Sequence, residues 1–425
     1  MRLIKEIFSI FLLVLLFFFS AEAKKKEKPR LLVYGAGVEA FAAAWQGAKS
    51  NVPTLWIMKE DEFLPDMPQD RFAVKGNDHL DGGVWMDLLM ALGKVKESND
   101  SIAQLEKQNI NPRLVRNILE EWIKNQPLLK VVTGTGIETI ERKRNGWEVR
   151  LSDKQTYNVR SVVDADAAQK LSAPFLGDRT YSAFQSPKDL NKEEFRTILG
   201  NGERGEETYS ILFKNLEEAE KEGMHSLGFL MEEDHNSVDG IPLRMAYGQA
   251  LGALASYTAF FNTTIDKVDV RLLQEELLSY NARLMPFRDV SAEDPNFLAL
   301  QKFALSGIVL GVEDSGLYIL DRKKEVSQEE VRLVLDQMHA RSKLWFLDNS
   351  VDIFTWEEAL NYIGFVSFRG QELQKEVEKY FKKNFPSGEE FDKKKNISRY
   401  AFGTILSVYE NPFRIKIDQK GKLLR

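Results

Sequence analysis

The 425-residue chain contains no cysteine. That excludes disulfides, thiolate metal sites, cysteine nucleophiles and a lipid-modified N-terminal cysteine. Histidine is almost as scarce: His79, His225, His235 and His339 are the four, and no two of them stand at ligand spacing. A transition-metal centre of the usual His/Cys kind is therefore not expected. Basic charge is not in excess either. The formal net charge is -6, whereas phosphate-backbone binding needs a clustered basic surface, so nucleic acid is not an expected partner. With 43% hydrophobic residues, the composition is that of an ordinary globular protein with room for two or three domains.

The N-terminus carries a short apolar run, Ile7 to Phe19, below the ~20 residues that span a bilayer. Arg2 and Lys5 precede it and Ala21-Glu22-Ala23 follows. This describes a secretory signal over residues 1–23, leaving an exported chain, periplasmic or extracellular, with no stable membrane span. Lys24, Lys25, Lys26 and Lys28 oppose translocation, and an uncleaved anchor is the alternative they support.

Beyond the charged spacer 24–30, Leu31 to Tyr34 reads as a buried strand, Ala40 to Lys49 as a helix and Thr54 to Met58 as a second strand. Such a β–turn–α–β unit builds parallel sheets. A helix from Pro112 to Lys124 leads to a strand at Leu129 to Val132. Three alternating segments follow, with turns at Arg144-Asn145-Gly146 and Ser152-Asp153-Lys154, the pattern of an antiparallel meander. Arg160 to Ala165 is a further strand, and Ile241 to Phe261 a helix with small residues on one face. Residues 176–237 give no clear pattern, and the chain after about 270 is helical and charged.

The turn after the first strand is Gly35-Ala36-Gly37-Val38-Glu39-Ala40, with Ala44 one helical turn on. In G-x-G-x-x-A, the first glycine permits the tight turn and the second lets backbone approach a pyrophosphate. The alanines seat the helix close to the sheet, and its N-terminus attracts phosphate. Strand, turn, helix and strand stand in the required order, so a dinucleotide-binding fold is expected. An acidic residue closing the second strand would bond the ribose. Glu60 is the candidate if that strand runs two residues longer, and a solvated loop is the other reading.

Three blocks in this order resemble the FAD-dependent oxidoreductases of glutathione-reductase-like fold, in particular an exported bacterial group. They are VYGAGVEAFAAA, the meander followed by RSVVDADAA, and Arg244-Met245-Ala246-Tyr247-Gly248-Gln249-Ala250-Leu251-Gly252. The resemblance implies an α/β Rossmann-type FAD/NAD(P)-binding domain with a β-meander over 24–175 and 238–268, a shortened substrate insert over 176–237, and FAD as cofactor. It places Gly35, Gly37, Ala40 and Glu60 beside that cofactor. Val132, Asp164, Gly248, Gln249 and Ala250 join them. The chain departs from the pattern at Asp166, which replaces a small turn residue, and at Phe63-Leu64-Pro65-Asp66, where a glycine pair is expected. Gly82-Gly83 comes late. A degenerate member is implied, with an unknown small-molecule substrate and no identifiable catalytic residue.

Residues 269–425 form the expected α-helical region. Met285 to Gly311 resembles the opening of an S-layer-homology repeat, with Phe-x-Asp-Val, a helix and Gly-Ile-x-x-Gly. Val326-Ser327-Gln328-Glu329-Glu330 and Ile397-Ser398-Arg399 resemble the repeat's capped helix starts. A cell-envelope polymer is the partner this implies, with Arg399 matching the family's arginine and Gln328 departing from it; a packing appendage is the competing reading. Two functions follow, an exported flavin-dependent oxidoreductase-like protein and a non-catalytic envelope-binding module. A nicotinamide-dependent reductase fits the first turn but not the GQALG block.

Overall fold

The computed structural model describes residues 28–177, 184–227, 237–386 and 388–424. The leader expected over 1–23 and His235 lie outside the described residues.

Leu31, Leu32 and Val33 are wholly buried, as a continuous apolar run requires when both faces of a strand are covered. Their strand β1 (Leu31–Tyr34) pairs in parallel with β2 (Thr54–Ile57). Beyond β2 lies β3 (Leu129–Val132), also parallel. On the other side of β1 come β4 (Ser161–Asp164) and then β5 (Met224–Ser226), with Glu220–Lys221 as an antiparallel edge. The parallel order is thus β5-β4-β1-β2-β3. The register sets Tyr34 level with Ile57 and Asp164, which aligns the carboxyl ends of the three central strands.

Helix α1 (Val38–Lys49) links β1 to β2, and α2 (Gly83–Leu92) follows. The long helix α3 (Ile241–Phe261) lies directly on α1. Its glycines make that approach possible: a Cβ on Gly248 would stand 2.2 Å from the Glu39 carbonyl oxygen, and one on Gly252 2.5 Å from that of Ala43. Residues four apart share a helix face, so two glycines suffice to bring the backbones together.

The meander occurs as read, in strands Ile137–Lys143, Gly146–Leu151 and Thr156–Val159. Trp147, Val149 and Leu151 pack on Leu32, Leu55 and Val162 of the parallel sheet. The unpatterned stretch 176–237 holds a hairpin, Ile198–Arg204 with Glu207–Leu212. It is not all insert, because residues 220–226 belong to the main sheet. Met224-His225-Ser226 is too short and too polar to register as a strand in sequence, and its pairing with β4 and with Glu220–Lys221 defines it.

In the C-terminal region, α4 (Phe297–Ser306) ends on Gly307 in the left-handed conformation. Three later helices begin alike: α5 (Gln328–Met338) at Ser327, α6 (Trp356–Val366) at Thr355 and α7 (Arg399–Tyr409) at Ser398. Each cap hydroxyl accepts from the backbone N–H three residues on, at Glu330, Glu358 and Ala401. The preceding residues close a ring. Val326 N–H donates to Ile397 O at 3.2 Å, Ile397 N–H to Phe354 O at 2.8 Å, and Phe354 N–H to Val326 O at 2.9 Å. One core cluster runs from the sheet into this region. Arg196 joins them as well, donating to the carbonyls of Ser306 at 2.9 Å and Gly421 at 3.1 Å. Among the described residues no helix is long and apolar enough to cross a membrane.

Candidate functional site

The glycine turn lies at the carboxyl end of β1. Gly35 has φ +133°, and a Cβ there would stand 2.4 Å from the Ala165 carbonyl oxygen. Its N–H donates to Ile57 O at 3.0 Å and its carbonyl accepts the Trp56 indole N–H at 2.7 Å. Gly37 is the N-cap of α1 and offers no side chain to the free N–H groups of the first turn. Ala40 and Ala44 are fully buried, as expected of residues that seat α1.

Three charged side chains fill the space beside Gly37. Arg244, near the start of α3 and 2% exposed, donates through Nε to Glu39 Oε2 at 2.8 Å. Its Nη2 also bonds the carboxylates of Glu39 and Asp66. Asp66 Oδ2 accepts the Val38 N–H at the head of α1, at 3.5 Å. Leu64 N–H donates to Ala36 O at 2.7 Å and lays segment 59–67 over the turn. A Cβ added to Gly37 would meet Glu39 Oε1 at 2.3 Å and Arg244 Nη2 at 3.0 Å. Burial pushes Glu39 up to about 7, with Arg244 pulling down and Asp66 adding to the rise.

The neighbouring strand ends form an acidic rim. Asp164 is fully buried and accepts the N–H groups of Ser172 at 2.7 Å and Asp166 at 3.3 Å. Burial raises it to about 6 despite those bonds. Asp166 is raised by burial and then by Glu60. The Tyr34 hydroxyl is raised by burial and then by Asp166, Glu60 and Asp164, so all three carboxylates act on one point. Glu60 is exposed and past the end of β2, its carbonyl accepting from Gly134 N–H at 2.9 Å. Val132 O accepts from Met58 N–H at 3.0 Å, which continues the β2–β3 pairing.

On α3, Gly248 is used for packing on α1, and Ala250 is fully buried. Gln249 is 3% exposed; its Oε1 accepts from Val84 N–H at 3.2 Å, and its Nε2 donates to Gln46 Oε1 at 2.9 Å. Gly83, at φ +55°, would place a Cβ 1.8 Å from Gln249 Oε1. The structure therefore brings Gly82-Gly83 to the GQALG helix, a meeting hidden by their separation in sequence. The cavity beside them, bounded by Gly82, Trp85, Asn201, Gln249 and Arg283, has a volume of about 10 Å³. That holds roughly one water.

His225 is fully buried in β5, and neither ring nitrogen has a partner among the described residues. Burial depresses it to about 3, so it is neutral. His79 lies 3.1 Å from Asp100, and His339 3.1 Å from Glu410. Among the described residues no group of three or more His, Asp or Glu could hold a metal.

A parallel sheet of order β5-β4-β1-β2-β3, a glycine turn between β1 and α1, and a meander ahead of β4 decide the fold class. It is an α/β fold of Rossmann type with a β-meander, continued by an α-helical C-terminal region. No family model and no curated protein matches the chain. Among solved structures it is similar to bacillithiol disulfide reductase from Staphylococcus aureus, at 22% identity and TM-score 0.24, over 33% of this chain and 39% of that one. It is also similar to a PqsL mutant from P. aeruginosa, at 11% and 0.34, over 66% and 98%. The aromatic hydroxylase CabE gives 10% and 0.35, over 60% and 66%. The chain thus spans about two fifths of the reductase's length.

In the helical region, Arg399 is 2% exposed, donates to Leu320 O at 2.7 Å and pairs with Glu330. Gln328 Oε1 accepts from Val351 N–H at 3.3 Å. The sequence reading missed the third capped start at Thr355, although Thr355-Trp356-Glu357-Glu358 carries the same S/T-x-x-E signal as Ser327. It also missed the roles of Glu39, Asp66 and Arg244. No local signal marks those, since Glu39 and Arg244 are 205 residues apart.

Proposed function

We propose that the chain is an exported FAD-dependent oxidoreductase-like protein whose flavin chemistry is weakened or lost. The Glu39–Arg244–Asp66 cluster carries this reading, because it fills the place beside Gly37 that a pyrophosphate would enter. FAD is the cofactor that the fold class and the three sequence blocks imply, and when bound it supplies the redox chemistry itself. In the arrangement seen, the residues do not fit it: the phosphate cradle holds two carboxylates, and Glu60, Asp164 and Asp166 would repel phosphate at the strand ends. Export rests on the basic, apolar and Ala-x-Ala leader.

The test is the visible spectrum of the purified full chain, with its thermal midpoint at rising FAD. The expected result is flavin well below one per chain and little thermal shift. A ligand at 100 Kd would add about 2.7 kcal/mol. Stoichiometric flavin retained through purification would overturn the proposal.

A second reading, a non-catalytic envelope-binding module, is supported by a groove of about 720 Å³ on the helical region. There the Arg341 guanidinium stacks 4.0 Å from the rings of both Phe365 and Phe368, and Phe368 is 81% exposed. Co-sedimentation with purified cell-envelope polymer separates the readings, and absence of binding removes this one.

A further inference from the structure

The amino ends of the parallel strands lie opposite the glycine turn. Helix α3 runs beside α1 in the same sense, since Gly248 meets Glu39 and Gly252 meets Ala43. Both helices therefore finish at the amino end of the sheet, α1 at Lys49 and α3 at Phe261. Apolar side chains come to the surface there. Phe260, Phe261 and Leu272 are each about half exposed. Ring centroids of Phe261 lie 4.6 Å from Tyr257 and 5.1 Å from Phe260, so the rings form one surface. With Leu273 they wall an open groove of about 390 Å³, in which Glu275 and Glu276 are the acidic members. A contiguous apolar patch of this kind marks a contact site.

The chain enters the fold at the same place. Arg30, the residue before β1, donates to the Ala259 carbonyl in the last turn of α3, and Arg160 donates to Thr263 O at 3.4 Å. Upstream of Arg30 stand Lys24, Lys25, Lys26 and Lys28, with Glu27 alone of opposite sign, and before them the apolar run Ile7 to Phe19. Even fully extended, the links from Phe19 to Arg30 reach no more than roughly 40 Å. The basic stretch 24–30 is thus tethered beside the aromatic patch.

A second copy of the chain would suit the rings but would bring two strongly basic stretches together, which like-charge repulsion opposes. An anionic bilayer suits both features. Aromatic side chains settle at the boundary of headgroups and acyl chains, and lysines beside the surface are drawn to anionic lipid. Glu275 and Glu276 oppose this attraction without matching the five cations of 24–30.

We infer that the amino end of the sheet is a membrane-docking face, on which Phe260, Phe261 and Leu272 enter the interface of an anionic bilayer and residues 24–30 bind its headgroups. The protein lies on the bilayer by this face, with the glycine turn at the far end of the strands. The inference does not depend on flavin. It holds whether the leader is cleaved after Ala23 or retained, because 24–30 stays attached in both cases.

The chain has no cysteine, so a single introduced one takes a label at a known place. Full chains carrying Phe261→Cys or Thr133→Cys are labelled with nitrobenzoxadiazole; Thr133 is exposed one residue beyond the carboxyl end of β3. With vesicles of phosphatidylcholine and phosphatidylserine in equal parts, the label at 261 should shift to the blue and gain roughly twofold in intensity. A nitroxide lipid should quench it, while the label at 133 stays as in buffer. Phosphatidylcholine alone should give less than half of the gain, and an equal gain overturns the role given to 24–30. Equal responses at 261 and 133, or chain floating with vesicles while the label at 261 is unchanged, overturn the docking face. A label at 261 already shielded before vesicles are added also overturns it, in favour of a second copy or the leader as the cover. If Phe261→Cys does not fold, Phe260→Cys is read by the same comparison.

Discussion

The start of α1 and the starts of α5, α6 and α7 answer the same physical need in opposite ways. The three C-terminal helices are capped from within, by residues adjacent in sequence, and their leading residues then bond one another in a ring. Helix α1 is served from a distance, by a loop carboxylate that accepts the Val38 N–H and is itself paired with an arginine from another helix. Local caps are worth about 1 kcal/mol each and fail singly. A buried charge cluster fails together, because removing one member strands the others.

That contrast is open to attack, and the largest effect is expected at Arg244. Arg244→Ala leaves Glu39 and Asp66 without their shared cation, and a loss of roughly 3–5 kcal/mol is expected on denaturant unfolding. A loss near that of a simple side-chain truncation on the surface would mean the cluster is not a unit. A smaller, pH-dependent effect is expected at His225. Its pKa in the folded chain is lowered from the usual value of 6.5 to about 3. Its contribution is therefore fully present above pH 6.5 and is lost as pH falls towards 3, because the unfolded chain takes up the proton first. Asp164 and Glu39 act with the opposite sign. Their folded pKa values are raised, to about 6 and about 7, so their contributions are present in acid and fade as pH rises through those values. Replacing His225 by Leu should flatten the acid limb of a stability–pH curve, and an unchanged limb would show that the site is hydrated. The smallest effect belongs to a local cap: Thr355→Ala should cost about 0.5–2 kcal/mol, with Thr355→Ser recovering most of it.

How far the sequence could be read follows the same division. The turn at Gly35, the Val162-Val163 pair, the meander and the long helix at Ile241 were legible because each is announced by spacing within a few residues. The cap at Ser327 was legible for the same reason, and Thr355 could have been. What stayed hidden was convergence. Nothing near Asp66 says that it will meet Val38, and nothing near Gly248 says that its missing side chain answers to the Glu39 backbone. The glycine of G-Q-A-L-G read as a residue facing a cofactor, whereas its closest neighbour is another helix. Strand β5 was invisible because three residues with a buried histidine carry no period; pairing with β4 and with Glu220–Lys221 calls them into the sheet.

The ring through Val326, Phe354 and Ile397 has a consequence for how the polypeptide is made. Synthesis runs from the N-terminus, and domains tend to fold as they emerge. Here Val326 and Phe354 can form one bond early, but the other two need Ile397. A chain stopped before that residue would leave the Val326 N–H and the Phe354 carbonyl without these partners.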